Sequence, residues 1–191
     1  MSKITELIQI SGWKRALNAA RFTAGKKPLD KEPSDEWKRK ILLAEHSPIR
    51  LVEYDWIWDE IQQWITTHLV RHHEGCEKFV NSQRIDRNEN IATEYKSRDE
   101  VPQGKRNRMM FSANAQAIIN ISRKRLCSCA SKETREAWKQ VLEVLKEVDP
   151  ILVEKCVPEC IYRGFCPEFD KCCGYCNTKE YQEQLEKYRK P

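Results

Sequence analysis

The sequence predicts an α+β protein, helix-rich with a small central sheet and a cysteine-rich C-terminal knuckle. Three observations carry that expectation. Apolar residues recur at helical spacing in several stretches, a few short β-branched and aromatic runs partly alternate, and six of the nine cysteines crowd into 156–176. The 191 residues are 40% hydrophobic and 33% charged, enough for one substantial core with a small appendage. The expected division is a main unit over 1–150 and a cysteine-rich, metal-binding appendage over 151–191.

Residues 1–30 read as short helical stretches between basic loops, broken at Gly25-Lys26-Lys27-Pro28. Ser34 followed by Asp35 and Glu36 starts a helix over 35–44, a capping serine with acids in the first turn. Pro48 stops it, and 49–56 reads as a strand. Ile61, Trp64, Ile65, His68 and Leu69 share one face of a helix over 59–70. Further strands are expected at 79–85 and 106–111, with loop and a short helix between them. Ser112 caps a helix to about 127. Ser131 caps another over 132–148, burying Trp138, Val141, Leu142 and Leu145. Pro150 ends it, a short helix follows to 155, and a polar helix closes the chain over 178–190.

No apolar run approaches the roughly 20 residues of a membrane span, and Met1-Ser2-Lys3-Ile4-Thr5-Glu6 has no leader-like hydrophobic region. A cytoplasmic location is expected, and with it reduced thiols rather than a disulfide framework. The net charge of +5 is mild and interspersed with acids. That disfavours a nucleic-acid surface, while a small anionic ligand needs only a few placed arginines.

Three constellations carry chemistry. Arg71-His72-His73 ends a helix, where cations also simply offset the dipole; a loop through Gly75 then leads to Ser82-Gln83-Arg84, a cradle for phosphates. Asn114, Gln116, Asn120 and Arg125 stand out on an Ala/Ile-rich helix, where partly buried amides need partners. The third is the cysteine run. Cys156 and Cys160 with Cys173 and Cys176 are the expected structural zinc ligands, with Cys172 or Cys166 as alternatives; an iron–sulfur cluster also fits four thiolates.

The first two constellations resemble flavin-dependent thymidylate synthases. Those enzymes carry an Arg-His-Arg signature ending in a serine, here Arg71-His72-His73 and Ser82-Gln83-Arg84. They also carry a helix of the form Asn-Ala-Arg-x3-Asn-x4-Arg, here Asn114-Ala115-Gln116, Asn120 and Arg125. Arg98 before Val101-Pro102, and Glu45-His46 ahead of a strand, match in order; the resemblance spans about 40–140. It implies that His46, Arg71, His72, His73, Asn114, Gln116 and Asn120 contact FAD. It implies that Ser82, Arg84 and Arg98 bind the phosphate side of dUMP, with Arg125 facing the uracil as the catalytic residue. The implied reaction methylates dUMP to dTMP using methylenetetrahydrofolate and NADPH, in a homotetramer with shared sites. His73 and Gln116 replace arginines of the pattern, and the spacer before Ser82 is eight residues, one longer than the signature's. Hydroxymethylation of a pyrimidine nucleotide is the nearest alternative, and a flavin-free zinc-knuckle nucleic-acid-binding protein the more distant one.

Overall fold

A computed structural model describes residues 3–191. Four strands form one antiparallel sheet in the order β1 (Lys3–Ser11), β2 (Glu53–Gln62), β4 (Arg106–Asn114), β3 (Cys76–Val80). Strict alternation in β2 buries Tyr54, Trp56 and Trp58, and in β4 it buries Met109, Phe111 and Ala113. These side chains share the inner face. Trp56 stacks on Phe111 at 4.8 Å between centroids and meets Trp138 edge-on at 6.0 Å.

The helices α1 (Trp13–Thr23), α2 (Asp35–Leu43), α3 (Gln63–Leu69), α4 (Glu89–Glu94), α5 (Ala115–Arg125) and α6 (Lys132–Val148) come next in chain order. Ile118, Ile119 and Ile121 of α5 and Trp138, Val141 and Leu145 of α6 complete the core against the sheet. The outer face stays open: Ile8, Ile10, Phe79 and Met110 are exposed.

One buried carboxylate ties the layers together. Asp149 Oδ2 accepts from the Trp13 indole and the Tyr54 hydroxyl, each at 2.5 Å, and Oδ1 accepts from the Leu152 amide at 3.0 Å. Burial, then the Asp149 charge, pushes the Tyr54 phenol far up from its ordinary value, so it remains a donor.

Three short segments follow: α7 (Pro150–Glu154), α8 (Glu159–Arg163) and α9 (Lys179–Arg189). Ile151, Leu152 and Cys156 still belong to the main core. A second, smaller core of Val157, Cys160, Ile161, Tyr181, Leu185 and Tyr188 begins after them. No helix among the described residues is long and apolar enough to cross a membrane.

Several expected elements shift, and β-bulges explain most of the shifts. Ile4, Leu7 and Ile8 lie at helical spacing, yet 3–11 is a strand: a register shift between Ile4 and Glu6 puts Ile4 and Leu7 on the same face. The strand expected at 49–56 begins at Glu53, because Pro48 sits in a 3-10 turn over Ser47–Leu51. It then runs on to Gln62 through a bulge at Glu60 (φ 57), so the helix expected from 59 starts at Gln63. Asn114, not Ser112, caps α5, its Oδ1 accepting from the Ala117 amide at 2.9 Å. The strand expected at 79–85 lies at Cys76–Val80. The helices started by Ser34, Ser131 and Thr178 stand as read, each cap accepting from the amide three residues on.

Candidate active site

Strand β4 runs straight into α5 at Asn114, so the polar stripe of that helix emerges beside the sheet edge. Gln116, Asn120 and Arg123 fall at i, i+4 and i+7 and share one face. Glu45 meets them from the end of α2. Its backbone is in the left-handed region (φ 47), which for a non-glycine residue is a strained conformation. Its carboxylate accepts from Gln116 Nε2 at 2.7 Å and from the Arg123 guanidinium. Asn120 Oδ1 closes the ring, accepting from Gln116 at 3.2 Å and from Arg123 at 3.1 Å. Burial opposes the charge on Arg123, but the Glu45 carboxylate bonded to it more than offsets this and holds its pKa above the ordinary value. The back of Arg123 lies 3.4 Å from the Tyr162 ring centroid.

Glu45, Gln116 and Asn120 of this ring form one wall of a cleft of about 690 Å³ whose other lining residues include Arg50, Glu74, Gly75 and Asn114. Gly75 sits at φ 69, and a Cβ there would stand 2.6 Å from Asn114 Nδ2. Its carbonyl accepts from the Asn114 amide at 3.0 Å. The loop backbone is thereby pressed onto the cap of α5 in a way that only glycine permits.

A second group lies at the other end of α5. Arg125 Nε donates to His72 Nε2 at 2.9 Å, and Nη2 donates to the His68 carbonyl at 2.5 Å. Burial, then the neighbouring Arg125 charge, pushes the His72 imidazole down to about 4, so His72 is neutral and free to accept. Burial, then Arg71, also lowers the pKa of Arg125. His68 Nδ1 lies 2.9 Å from Thr134 Oγ1, and its pKa is lowered by burial, Arg125 and Arg71.

His72 makes stability depend on pH with a definite sign. The unfolded imidazole titrates near 6.5 and the folded one about 4, so between those values only the unfolded chain takes up the proton. The contribution is present above about 6.5 and is lost as pH falls toward 4. The urea midpoint is expected to drop across that window. His72→Gln, which keeps an acceptor but cannot titrate, should flatten part of the drop. His68 acts in the same sense and keeps the rest. A His72→Gln profile as steep as that of the parent would refute the assignment.

The expected site residues thus fall into separate groups. Asn114, Gln116 and Asn120 converge on the cleft, and Arg125 joins His72. Ser82 and Arg84 form their own turn, with Ser82 Oγ accepting from the Arg84 amide at 3.1 Å and Arg84 paired to Asp86 at 2.5 Å. Arg98 lies in an exposed 3-10 turn (Arg98–Glu100), and His46, Arg71 and His73 are exposed. Glu45 and Arg123 were not expected as site residues. The i, i+4, i+7 spacing of Gln116, Asn120 and Arg123 is the signal that could have found Arg123.

The cysteine expectation is redrawn. Cys156 is buried in the main core, its thiol donating to the Leu152 carbonyl at 3.5 Å, and Cys173 is exposed. Among the described residues, Cys166, Cys172 and Cys176 form one close-set group, and Cys127 and Cys129 with Glu168 form another.

The sheet and the helix that continues its central strand make a fold shared with solved structures. Structural likeness covers 82% of this chain and 99% of the flavin-dependent thymidylate synthase ThyX from Helicobacter pylori complexed with FAD and dUMP, at TM-score 0.63 and 16% identity. It also covers 86% of this chain and 95% of the UMP/dUMP methylase PolB from Streptomyces cacaoi, at TM-score 0.60 and 13% identity. In sequence, residues 87–151 match the family model described as thymidylate synthase complementing protein. The flavin-dependent thymidylate synthase of Pyrococcus horikoshii is 35% identical over 95 residues, 46% of this chain and 39% of that protein. The Clostridium tetani enzyme is 34% identical over 67 residues, 35% of this chain and 26% of that protein. The chain spans only about a quarter to two-fifths of the length of these curated relatives.

Proposed function

We propose that this protein is a flavin-dependent enzyme that methylates dUMP to dTMP, with methylenetetrahydrofolate as carbon donor and NADPH as reductant. The carrying observation is the polar stripe of α5. It lies inside the family-matched segment, opens onto the cleft and is held in place by Glu45 and by the close approach of Gly75.

The residues present fit FAD. The amides of Asn114, Gln116 and Asn120 suit the donor–acceptor edge of a heteroaromatic ring, and Arg50 brings positive charge to the wall. Gly75 leaves the space that a side chain would fill. His46, Arg71, His72 and His73 are the further flavin contacts of this reading. Bound FAD would supply the redox chemistry. Ser82, Arg84 and Arg98 would hold the nucleotide phosphate, with Arg84 exchanging its Asp86 partner for it. Arg125 would face the uracil. Two of its five donors are fixed by His72 and the His68 carbonyl, which sets the guanidinium plane. The remaining donors can stabilise negative charge developing at N3 and O2 of the ring.

On this reading 1–150 is the catalytic unit, 151–191 the appendage, and the enzyme is cytoplasmic. The candidate ligand groups lie in separate segments, and the exposed Ile8, Ile10, Phe79 and Met110 face is unpartnered within the chain. Both features support a homotetramer with shared sites.

The test supplies FAD, C5-tritiated dUMP, methylenetetrahydrofolate and NADPH to the purified protein. Tritium release that depends on every component, a retained flavin spectrum and a methylated product by mass are expected. A protein that binds no flavin with dUMP present and releases no tritium would overturn the reading. A hydroxymethylated product would replace methylation with the related reaction.

A further inference from the structure

The sulfur atoms of Cys166, Cys172 and Cys176 all lie within 4.8 Å of one another. Cys176 also packs against the small core that contains Cys160, which brings a fourth sulfur into the neighbourhood. The backbone is shaped for this convergence. Cys160 sits in α8, which ends at Gly164 in the left-handed region (φ 81), and Cys166 follows two residues on. Gly174, also left-handed (φ 85), separates Cys172 from Cys176 and leads into a 3-10 turn over Tyr175–Asn177.

Beyond these sulfurs, the segment is tethered by the Cys127 thiol, which donates to Glu168 Oε1 at 3.2 Å, and the Cys129 thiol, which donates to the Lys171 carbonyl at 3.8 Å. Between Gly164 and Gly174 the chain has no regular secondary structure. Its two large apolar side chains, Phe165 and Phe169, are exposed, so packing does not fix the loop. The small core beneath it contains six buried residues. Such a loop-rich unit is where a bound ion stabilises most.

We propose that Cys160, Cys166, Cys172 and Cys176 form a four-thiolate site for a single zinc ion. Zn–S bonds of about 2.3 Å place tetrahedral sulfurs roughly 3.8 Å apart, within about an ångström of the 4.8 Å that bounds the separations of Cys166, Cys172 and Cys176. An iron–sulfur cluster stands between its ligands and holds them further apart, so sulfurs this close suit one ion. Each thiol gives up its proton to solvent on coordination, with no redox change. The assembled centre carries a net charge of −2, and the Arg189 guanidinium lies against the ligand loop: a Cβ on Gly164 would stand 2.7 Å from its Nη2. The ligand pattern is therefore Cys-x5-Cys-x5-Cys-x3-Cys, without Cys156 or Cys173.

The full chain, purified from zinc-supplemented cells, should carry one zinc per chain by elemental analysis. Cys172→Ser and Cys176→Ser should each lower the zinc content more than tenfold, while Cys173→Ser and Cys129→Ser keep it. Should the first two variants fail to fold, cobalt loading of the parent protein decides. Intense sulfur-to-cobalt charge-transfer absorption with tetrahedral ligand-field bands is expected. Loss of zinc in Cys173→Ser, iron with acid-labile sulfide in place of zinc, or the absence of both zinc and cobalt bands would overturn the proposal.

Discussion

Replacing Arg125 with alanine is expected to lower the rate of tritium release from C5-labelled dUMP by roughly 10²–10³-fold, with the fold retained. The guanidinium is held by its two bonds to α3 and the turn after it, at His68 and His72, rather than by core packing. Its removal therefore costs stability little, while the charge expected to face the electron-rich uracil is lost. A lysine in its place restores charge but not the planar fork, so Arg125→Lys should recover only part of the rate. His72→Ala supplies the complementary test, because it removes the acceptor of Arg125 Nε and so loosens the guanidinium without removing it. Near-parental turnover in Arg125→Ala would remove the residue from the mechanism. Turnover lost together with the thermal transition would make its role structural.

Asp149→Ala is expected to cost about 3–5 kcal/mol, or roughly 10 °C in Tm. The truncated side chain would leave the Trp13 indole, the Tyr54 hydroxyl and the Leu152 amide without their acceptor, in a position 4% exposed. Each buried donor so stranded costs about 1–3 kcal/mol, not additively. The loss is spread over three elements, since those donors come from α1, β2 and α7. Asp149→Asn should fall in between, because its carbonyl keeps the shared acceptor while its NH2 opposes the Leu152 amide. Chemical denaturation measures both variants, and a change below about 1 kcal/mol in Asp149→Ala would mean that water replaces the carboxylate.

The sequence was informative wherever a local rule acts alone. Ser34 and Ser131 announced their helices because a capping hydroxyl works through the amide three residues on. The α+β class and the polar stripe of α5 were legible for the same kind of reason. Strand boundaries were not, because the bulges in β1 and β2 break the two-residue period on which strand reading depends. Glu45 was noted only as part of a motif, because its bonding role needs a left-handed backbone and a partner 78 residues away at Arg123. Sequence spacing favoured Cys156, Cys160, Cys173 and Cys176, with Cys166 and Cys172 as alternatives, whereas folding buries Cys156 in the core and gathers Cys166 and Cys172 around Cys176. The Ser82, Arg84 and Arg98 assignments rest on pattern alone, as the folded chain sets them apart from the cleft.

The stacked inner face of the sheet also gives the protein its own optical reporter. Trp56, Trp58 and Trp138 are fully buried, with ring centroids 5.6–6.3 Å apart. Excitation migrates readily among indoles at that spacing, so their emission should be blue-shifted and strongly depolarised. A flavin docked against α5, whose isoleucines pack in the same core, would drain that emission by energy transfer. Loading of the cleft could then be followed by tryptophan quenching alone, without turnover and without a label.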